Sequence, residues 1–567
     1  MTPILALYRT LDARRRRQFA LAMLLMLLGA VAELLTIGAV LPFLALIAAP
    51  GGTSGFGAFT RWLTGFGGDP VLLASLIICA AAVATAVLRT LLIWYIQRFV
   101  AAVGHDLAAA IFARMLRQPY AVYVRRSSGE IIAALEKVHS VVADILQPGL
   151  QGVTSAFIAL AIMALLIAIA PLSAMAAVAV VLLVYLGISL AARGRSRRNS
   201  KTLSEAWVTR INVVQAGLGG IRDVLLDRSQ PLFEQSFRRA DLACRRAHAS
   251  NNFIAASPRF AIEAAGIALL ALIAWLMSRQ PGGVVAAIPV LGALALGAQR
   301  LLPLLHQAWA GFSLSAGALR PLDDILTLLA APIVDDAPGT AADLPFAQSI
   351  RFEDVSYRHP EGRFGLEAVS FAIPKGARVG IVGPTGSGKS TLLDLLMGLL
   401  EPESGRVTID GRPLDRTTRA AWQARLAHVP QSIYLADDSI AANIAFGVPP
   451  AAIDQARLEA VAAAAQLDRF VAELEEGFET RIGERGIRLS GGQRQRLGIA
   501  RALYRGASVL ILDEATSALD DAVEAAVMRA IMALSAEITI VMIAHRGSTL
   551  EGCDRLIRLA EGRIVAA

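Results

Sequence analysis

The sequence predicts an α-helical domain of six membrane spans followed by an α/β phosphate-binding domain. Three observations carry this expectation. First, the 567 residues are 55% hydrophobic and only 18% charged, with a mean hydropathy of +0.55. Soluble domains average about 45–50% apolar and about 25% charged. Second, the charge is divided. Residues 1–350 carry 29 Lys+Arg against 18 Asp+Glu, a net +11, and residues 351–567 carry 25 against 28, a net −3. Excess positive charge on the apolar part argues against nucleic acid as a partner and for a membrane protein with basic loops on one side. Third, a glycine-rich loop lies between an apolar strand and a leucine-rich helix in the second part. Cys79, Cys244 and Cys553 have no neighbours at metal-ligand or redox spacing.

The spans follow in order. Residues 18–48 come after the basic run Arg14–Arg17 and are too long for the apolar core of a signal peptide. Further apolar runs cover 71–97, 141–170, 172–192, 255–278 and 283–312. Ala170, Pro171 and Leu172 leave room only for a tight turn between the third and fourth. Loops 98–140 and 193–254 hold six and twelve Lys+Arg, whereas 49–70 and 279–282 hold one Arg each. Basic loops stay on the cytoplasmic side, so both termini are expected there. The two long basic loops keep helical periodicity and read as spans continuing into the cytoplasm. The expected division is 1–320 transmembrane, 321–350 connector and 351–567 catalytic.

From 351 the pattern alternates as strands do, in Phe352, Val355, Tyr357, then Val369, Phe371, Ile373. The strand 378–382 leads into Gly383-Pro-Thr-Gly-Ser-Gly-Lys-Ser390, and a helix with Leu392, Leu393, Leu395 and Leu396 follows. This is G-x-x-x-x-G-K-[ST] in the required context. Gly383, Thr385, Gly386, Ser387, Gly388, Lys389, Ser390 and Thr391 are the candidate phosphate cradle. Backbone N–H groups and a helix N-terminus supply its positive end. Lys389 is expected on the β- and γ-phosphates and Ser390 on Mg²⁺. A second strand, 509–512, ends in Asp513 and Glu514. Its end is expected beside the phosphate loop, with Asp513 in the metal shell and Glu514 polarising a water.

Between these lies Leu489-Ser-Gly-Gly-Gln493. With both nucleotide motifs around it, the string resembles the signature of ATP-binding-cassette (ABC) proteins. That resemblance implies ATP as the nucleotide and Tyr357 stacked on adenine. It implies Gln431 as the loop glutamine at the γ-phosphate and metal, and Thr480–Gly486 as a cross-subunit loop. Ser517–Asp520 matches the D-loop and His545 the switch histidine. It also implies that Ser490, Gly491, Gly492, Gln493 and Asp520 serve the ATP of a partner subunit. One catalytic domain and six spans make half a transporter, completed by a second copy or by a related chain. The order of domains resembles the exporters called type IV. In that class short helices at the loop tips dock on the ATPase domains, matching Pro119–Gly129 and Glu205–Gln215 here.

Ionisable residues inside spans are functional candidates by default. Glu33, Arg89, Arg259 and Arg300 qualify, and Glu263 lies one turn after Arg259. Arg89, Arg259 and Arg300 all fall towards the cytoplasmic leaflet and are expected to form a guanidinium belt for a phosphate or pyrophosphate headgroup. At i, i+4 spacing, Arg259 and Glu263 also have the option of pairing with each other. Glu33 before Pro42-Phe43, Arg89, Ser257-Pro-Arg259 and Arg300-Leu-Leu-Pro303 resemble flippases of lipid-linked oligosaccharides. This implies a polyprenyl-pyrophosphate-linked saccharide as cargo and a bacterial inner membrane as the location. An exporter of lipid A-like lipids or hydrophobic drugs is the alternative.

Overall fold

The computed structural model describes residues 3–48, 69–125, 128–169, 171–279, 283–333, 344–359, 364–516, 518–533, 537–544 and 550–566. The chain divides into two compact units. One holds 1–118 and 124–333, and the other holds 119–123 with 334–567.

The first unit is helical. After a short helix, Pro3–Thr10, its long helices run Ala13–Ala48, Pro70–Leu116, Gln147–Ile169, Pro171–Gly219, Gln230–Ala256, Pro258–Ser278 and Gly283–Gly317. Among the described residues four stretches are long and apolar enough to cross a membrane: Ala13–Thr36, Val71–Leu116, Ile132–Ala168 and Ala174–Gly219. Pro70–Leu116 has 47 residues and Pro171–Gly219 has 49. At 1.5 Å per residue each is roughly 70 Å long, over twice the hydrocarbon thickness. The second and fourth spans therefore continue as rods outside the membrane, as their periodicity predicts. The first rod starts where its chemistry says it should: Asp69 accepts a hydrogen bond from Val71 N–H, with Pro70 at the first helical position.

The third and sixth spans cross closely. A Cβ on Gly311 would fall 2.2 Å from the Pro148 carbonyl oxygen and 3.0 Å from Gly152 Cα. Small residues let backbones approach in lipid, and the Ser155 hydroxyl donating to Gln307 Oε1 (2.7 Å) adds polar glue. A π-helical turn, Val141–Leu146, precedes Pro148 at the start of the third span. The sixth helix runs to Gly317, and the chain continues as the helix Leu319–Ala330. That helix buries Leu322 and Ile325 in the same core as Met26, Leu92 and Val141. Its Asp324 is held by Lys137 Nζ (2.5 Å), Ser204 Oγ (2.5 Å) and Arg320 Nε (3.4 Å).

The second unit has two sheets. β1 (Ser349–Arg358), β2 (Phe364–Pro374), β4 (Ser404–Ile409) and β5 (Arg412–Pro413) form an antiparallel sheet in the order β2-β1-β4-β5. The other contains β3 (Arg378–Val382), β6 (Leu426–Val429), β7 (Val509–Asp513), β8 (Thr539–Ile543), β9 (Arg555–Ala560) and β10 (Arg563–Ala566). Its order is β10-β9-β3-β8-β7-β6, parallel except for β10. β3, β7 and β8 have no exposed residue, which is why they read as apolar runs. The helix Lys389–Leu396 buries all four of its leucines between the two sheets' core residues.

Residues 119–123 belong to this second unit although they lie 211 positions before Val334. They open the short helix Tyr120–Arg125, and Ala121 packs on the core that includes Leu392 and Leu396. The other expected docking position is corrected. Glu205–Gln215 lies inside the rod Pro171–Gly219, because nothing in that stretch breaks a helix. The break comes at Gly219-Gly220, and the short helix is Ile221–Leu226. Its Leu225 and Leu226 are exposed.

Candidate functional site

The phosphate loop joins β3 to the helix Lys389–Leu396. Gly386 (φ +82°) and Gly388 (φ +101°) adopt left-handed backbone that side chains resist. At Gly388 a Cβ would also lie 2.3 Å from the Gly365 carbonyl oxygen. Lys389 is buried, and its ammonium donates to the carbonyls of Gly383 (2.7 Å) and Pro384 (3.0 Å). The Ser387 hydroxyl is buried in the same loop with no partner among the described residues. Thr391 is buried one turn into the helix, and its hydroxyl meets His359 Nε2 at 3.2 Å. Thr385 and Ser390 are exposed on the loop. Tyr357 is half-buried near the end of β1, edge-on to His359 with ring centroids 5.2 Å apart.

Asp513 closes β7, but β8 stands between β7 and β3. Asp513 nonetheless feels the loop. Burial pushes its carboxyl up, Glu514 adds to that, and the charge of Lys389 opposes it. Glu514 sits at φ +48°, with its N–H on the Ile543 carbonyl (3.0 Å). Gln431 Nε2 donates to Glu514 Oε2 at 2.7 Å, so two residues 83 positions apart are brought together.

Ser490 caps the 15-residue helix Gly491–Arg505 with a reciprocal box. Its hydroxyl accepts from Gln493 N–H (3.2 Å), and Gln493 Oε1 accepts from Ser490 N–H (2.8 Å). A Cβ on Gly491 would touch Ala518, and one on Gly492 would meet Ala518 and Leu519. Asp520 caps the next helix, Asp521–Met532, by accepting from Val523 N–H (3.0 Å). Ser517 and His545 lie outside the described residues.

Three residues escaped the reading of the sequence. Gln495 Oε1 accepts from Ala518 N–H (2.8 Å), tying the signature helix to the D-loop segment. His359 supports both Tyr357 and Thr391. Asp394 is the one acid among the leucines after the phosphate loop, a local signal that was available. Burial, with Asp513 nearby, pushes its carboxyl up to about 6. Its charge in turn helps burial push the Tyr120 phenol up in the docking helix.

The span residues are also partly brought together. Glu33 is 5% exposed within the first span. Its Oε2 accepts from Arg89 Nη1 of the second span (3.3 Å) and its Oε1 from Arg300 Nη1 of the sixth (3.1 Å). One turn away Thr36 and Thr85 share a hydrogen bond of 2.9 Å, which fixes the first two spans in register. Arg259 does not join this cluster. It pairs with Glu263 at 2.7 Å on the wall of a separate cavity of about 890 Å³, with His306 and Tyr185. The belt of three arginines is therefore two arginines on one buried carboxylate.

Comparison with known proteins bears on both units. The ABC transporter family matches residues 366–517, and the ABC transporter transmembrane region matches residues 35–280. An ATP-dependent lipid A-core flippase of Cupriavidus metallidurans is 34% identical over 460 residues, covering 80% of this chain and 77% of that protein. One of the same description from Ralstonia nicotianae is 33% identical over 476 residues, 82% of this chain and 78% of that one. An ATM1-type heavy metal exporter of Novosphingobium aromaticivorans is 39% identical over 231 residues, 41% of this chain and 38% of it. The solved structure of a bacterial Atm1-family ABC exporter with ATP bound superposes with a TM-score of 0.81 at 25% identity, covering 98% of this chain and 95% of that one.

Proposed function

From the premise that the chain belongs to the ABC transporter family, we propose that it is a flippase for a phosphorylated glycolipid. It is a multi-pass membrane protein that binds ATP and couples its hydrolysis to transport. The cargo would be a polyprenyl-pyrophosphate-linked saccharide or a lipid A-like lipid, carried from the cytoplasmic to the outer leaflet of a bacterial inner membrane. The lipid A arm rests on the relatives at 33–34% identity. Basic loops on one side favour cytoplasmic termini. One observation carries the cargo class: two guanidinium groups gathered on one buried carboxylate inside the spans, matched to a phosphate group. A hydrophobic drug gives such a cluster nothing to bind.

In this reading two copies of the chain sandwich two ATP molecules. The phosphate loop cradles one nucleotide through its backbone N–H groups and Lys389, with Tyr357 against the adenine. Ser490, Gly491, Gly492, Gln493 and Asp520 face the nucleotide of the partner. The hydroxyl of Ser390, the amide oxygen of Gln431 and the carboxylate of Asp513 are hard oxygen donors of the kind Mg²⁺ takes. Bound there, Mg²⁺ would neutralise developing phosphate charge. Gln431 holds the carboxylate of Glu514, which accepts the proton of the attacking water, and His545 is assigned to the γ-phosphate. The transmembrane part is assigned to 1–320, the connector to 321–350 and the ATPase to 351–567.

The test is ATPase stimulation in proteoliposomes by polyprenyl-pyrophosphate saccharides, lipid A and hydrophobic amines. Stimulation by either phosphorylated glycolipid supports the reading and chooses between its two arms. Stimulation by amines alone overturns it.

A further inference from the structure

The Glu33 cluster has three properties that a passive charge pair would not need. It joins three different spans, since Glu33, Arg89 and Arg300 lie on the first, second and sixth. Each guanidinium offers a single nitrogen to the carboxylate, one on each oxygen, so among the described residues most of its N–H donors are left over. The exposures are graded: the Glu33 side chain is 6% exposed, Arg89 40% and Arg300 61%. Among the described residues neither arginine has a second acidic partner.

Two arginines on one carboxylate leave a net charge of +1 in an apolar region. An uncompensated charge there is costly, and one more anion would make the cluster neutral. The remaining donors of Arg300 are the accessible ones. An arriving phosphate meets them first and competes with Glu33 for the same guanidinium. Arg89 is less exposed and stays on Glu33, with the Thr36–Thr85 bond holding its helix in place.

Resting on the glycolipid reading above, we propose that Glu33 is a positioning residue that latches the sixth span to the first. The phosphate of the cargo opens the latch by taking Arg300 from it. The occupant is a phosphate-class anion on an amphiphile. In the resting protein Glu33 stands in for that anion, and exchange of one for the other frees the sixth span to move. The device links arrival of cargo to the catalytic cycle without any contact between cargo and nucleotide.

Linkage fixes the signs. If anion binding and the Arg300–Glu33 contact oppose each other, removing the contact tightens anion binding by the same factor that binding loosens the contact. Full-length protein in phosphatidylcholine nanodiscs, with and without phosphatidic acid, gives the basal ATPase rate and the lipid dose response. Glu33→Gln should raise the basal rate, shrink the fold-stimulation towards one, and lower the half-saturating lipid concentration, each by about fivefold at typical coupling strengths. Arg300→Gln should also raise the basal rate but weaken lipid binding. The same sign on rate with opposite signs on affinity is a signature that simple damage does not produce.

If both variants lower the basal rate, or leave it unchanged, the latch is wrong. If Glu33→Gln does not accumulate, the basal rate of Arg300→Gln decides alone. Inorganic phosphate added to wild type separates the two sources of the anion. Stimulation by free phosphate means the latch reads the anion by itself, and stimulation by lipid only means the apolar body must deliver it. A wild type indifferent to every phosphorylated lipid would remove the cargo reading. The basal rates of the two variants, measured without lipid, would still report on the latch.

Discussion

The phosphate loop and the Glu33 cluster are both anion sites in prospect, yet they are built in opposite ways. The loop is contiguous backbone. Its shape comes from left-handed glycines, and its positive character comes from N–H dipoles and one lysine. The cluster is made of side chains alone, brought from positions 56 and 267 apart in the chain. A contiguous site is fixed once its own turn folds. A dispersed one exists only while three helices keep their register. The first suits an anion that must always bind in one pose. The second suits a ligand whose binding is meant to move the helices.

Breaking each site should therefore give different failures. The largest effect is expected at Glu514, the carboxylate proposed as the base. Glu514→Gln should lower ATP turnover by roughly 10²-fold or more, in the range of general-base removal, while ATP still binds. Retained turnover would dismiss Glu514 as the base. Next are two glycines that test backbone approach in each unit. Gly388→Ala puts a Cβ 2.3 Å from a carbonyl oxygen at φ +101°. It should cost about 1–3 kcal/mol locally and abolish nucleotide binding, read as loss of ATP-induced thermal protection. Gly311→Leu forces apart the third and sixth spans and should lower the melting temperature while ATP still protects the catalytic unit.

A smaller effect is tied to pH. The Asp394 carboxyl is raised to about 6 by burial, with Asp513 contributing. A raised acid stabilises the folded state fully below its unfolded pKa of 3.8, and this contribution is lost as pH rises through 6. Asp394→Asn should therefore stabilise the catalytic unit at pH 7.5 by about 1–2 kcal/mol after allowing for partial exposure. The gain should fade by pH 4 in thermal melts. The smallest effect is expected at Arg259, an exposed i, i+4 pair worth about 0.3–0.5 kcal/mol. Arg259→Ala should leave lipid stimulation close to wild type. A loss as large as that of Arg300→Gln would restore the three-arginine belt.

The same contrast explains what could be read from the sequence. Residues 383–391 and 489–493 declare themselves because each motif is contiguous and its chemistry is local. The two rods could be read because helical periodicity runs on past the apolar stretch. What could not be read was which strands neighbour each other. A sequence does not say that β8 comes between β3 and β7. Nor does it say which of two partners an arginine takes. Arg259 had a carboxylate four residues away and took it. Arg89 and Arg300 had none nearby and met on Glu33. The rod ends at the glycine pair Gly219-Gly220, beyond the 205–215 at which a short docking helix is expected.

The short docking helix has a consequence for how the protein is made. Leu392 and Leu396, in the core it packs on, are synthesised some 270 residues after Ala121. At about 5–20 residues per second, Ala121 waits on the order of tens of seconds for its partner surface. The second unit is therefore discontinuous in the chain, and its first-made residues, 119–123, precede the rest of it. Docking of 119–123 is thus a late assembly step, which makes its completion a natural checkpoint between a half-built second unit and a finished one.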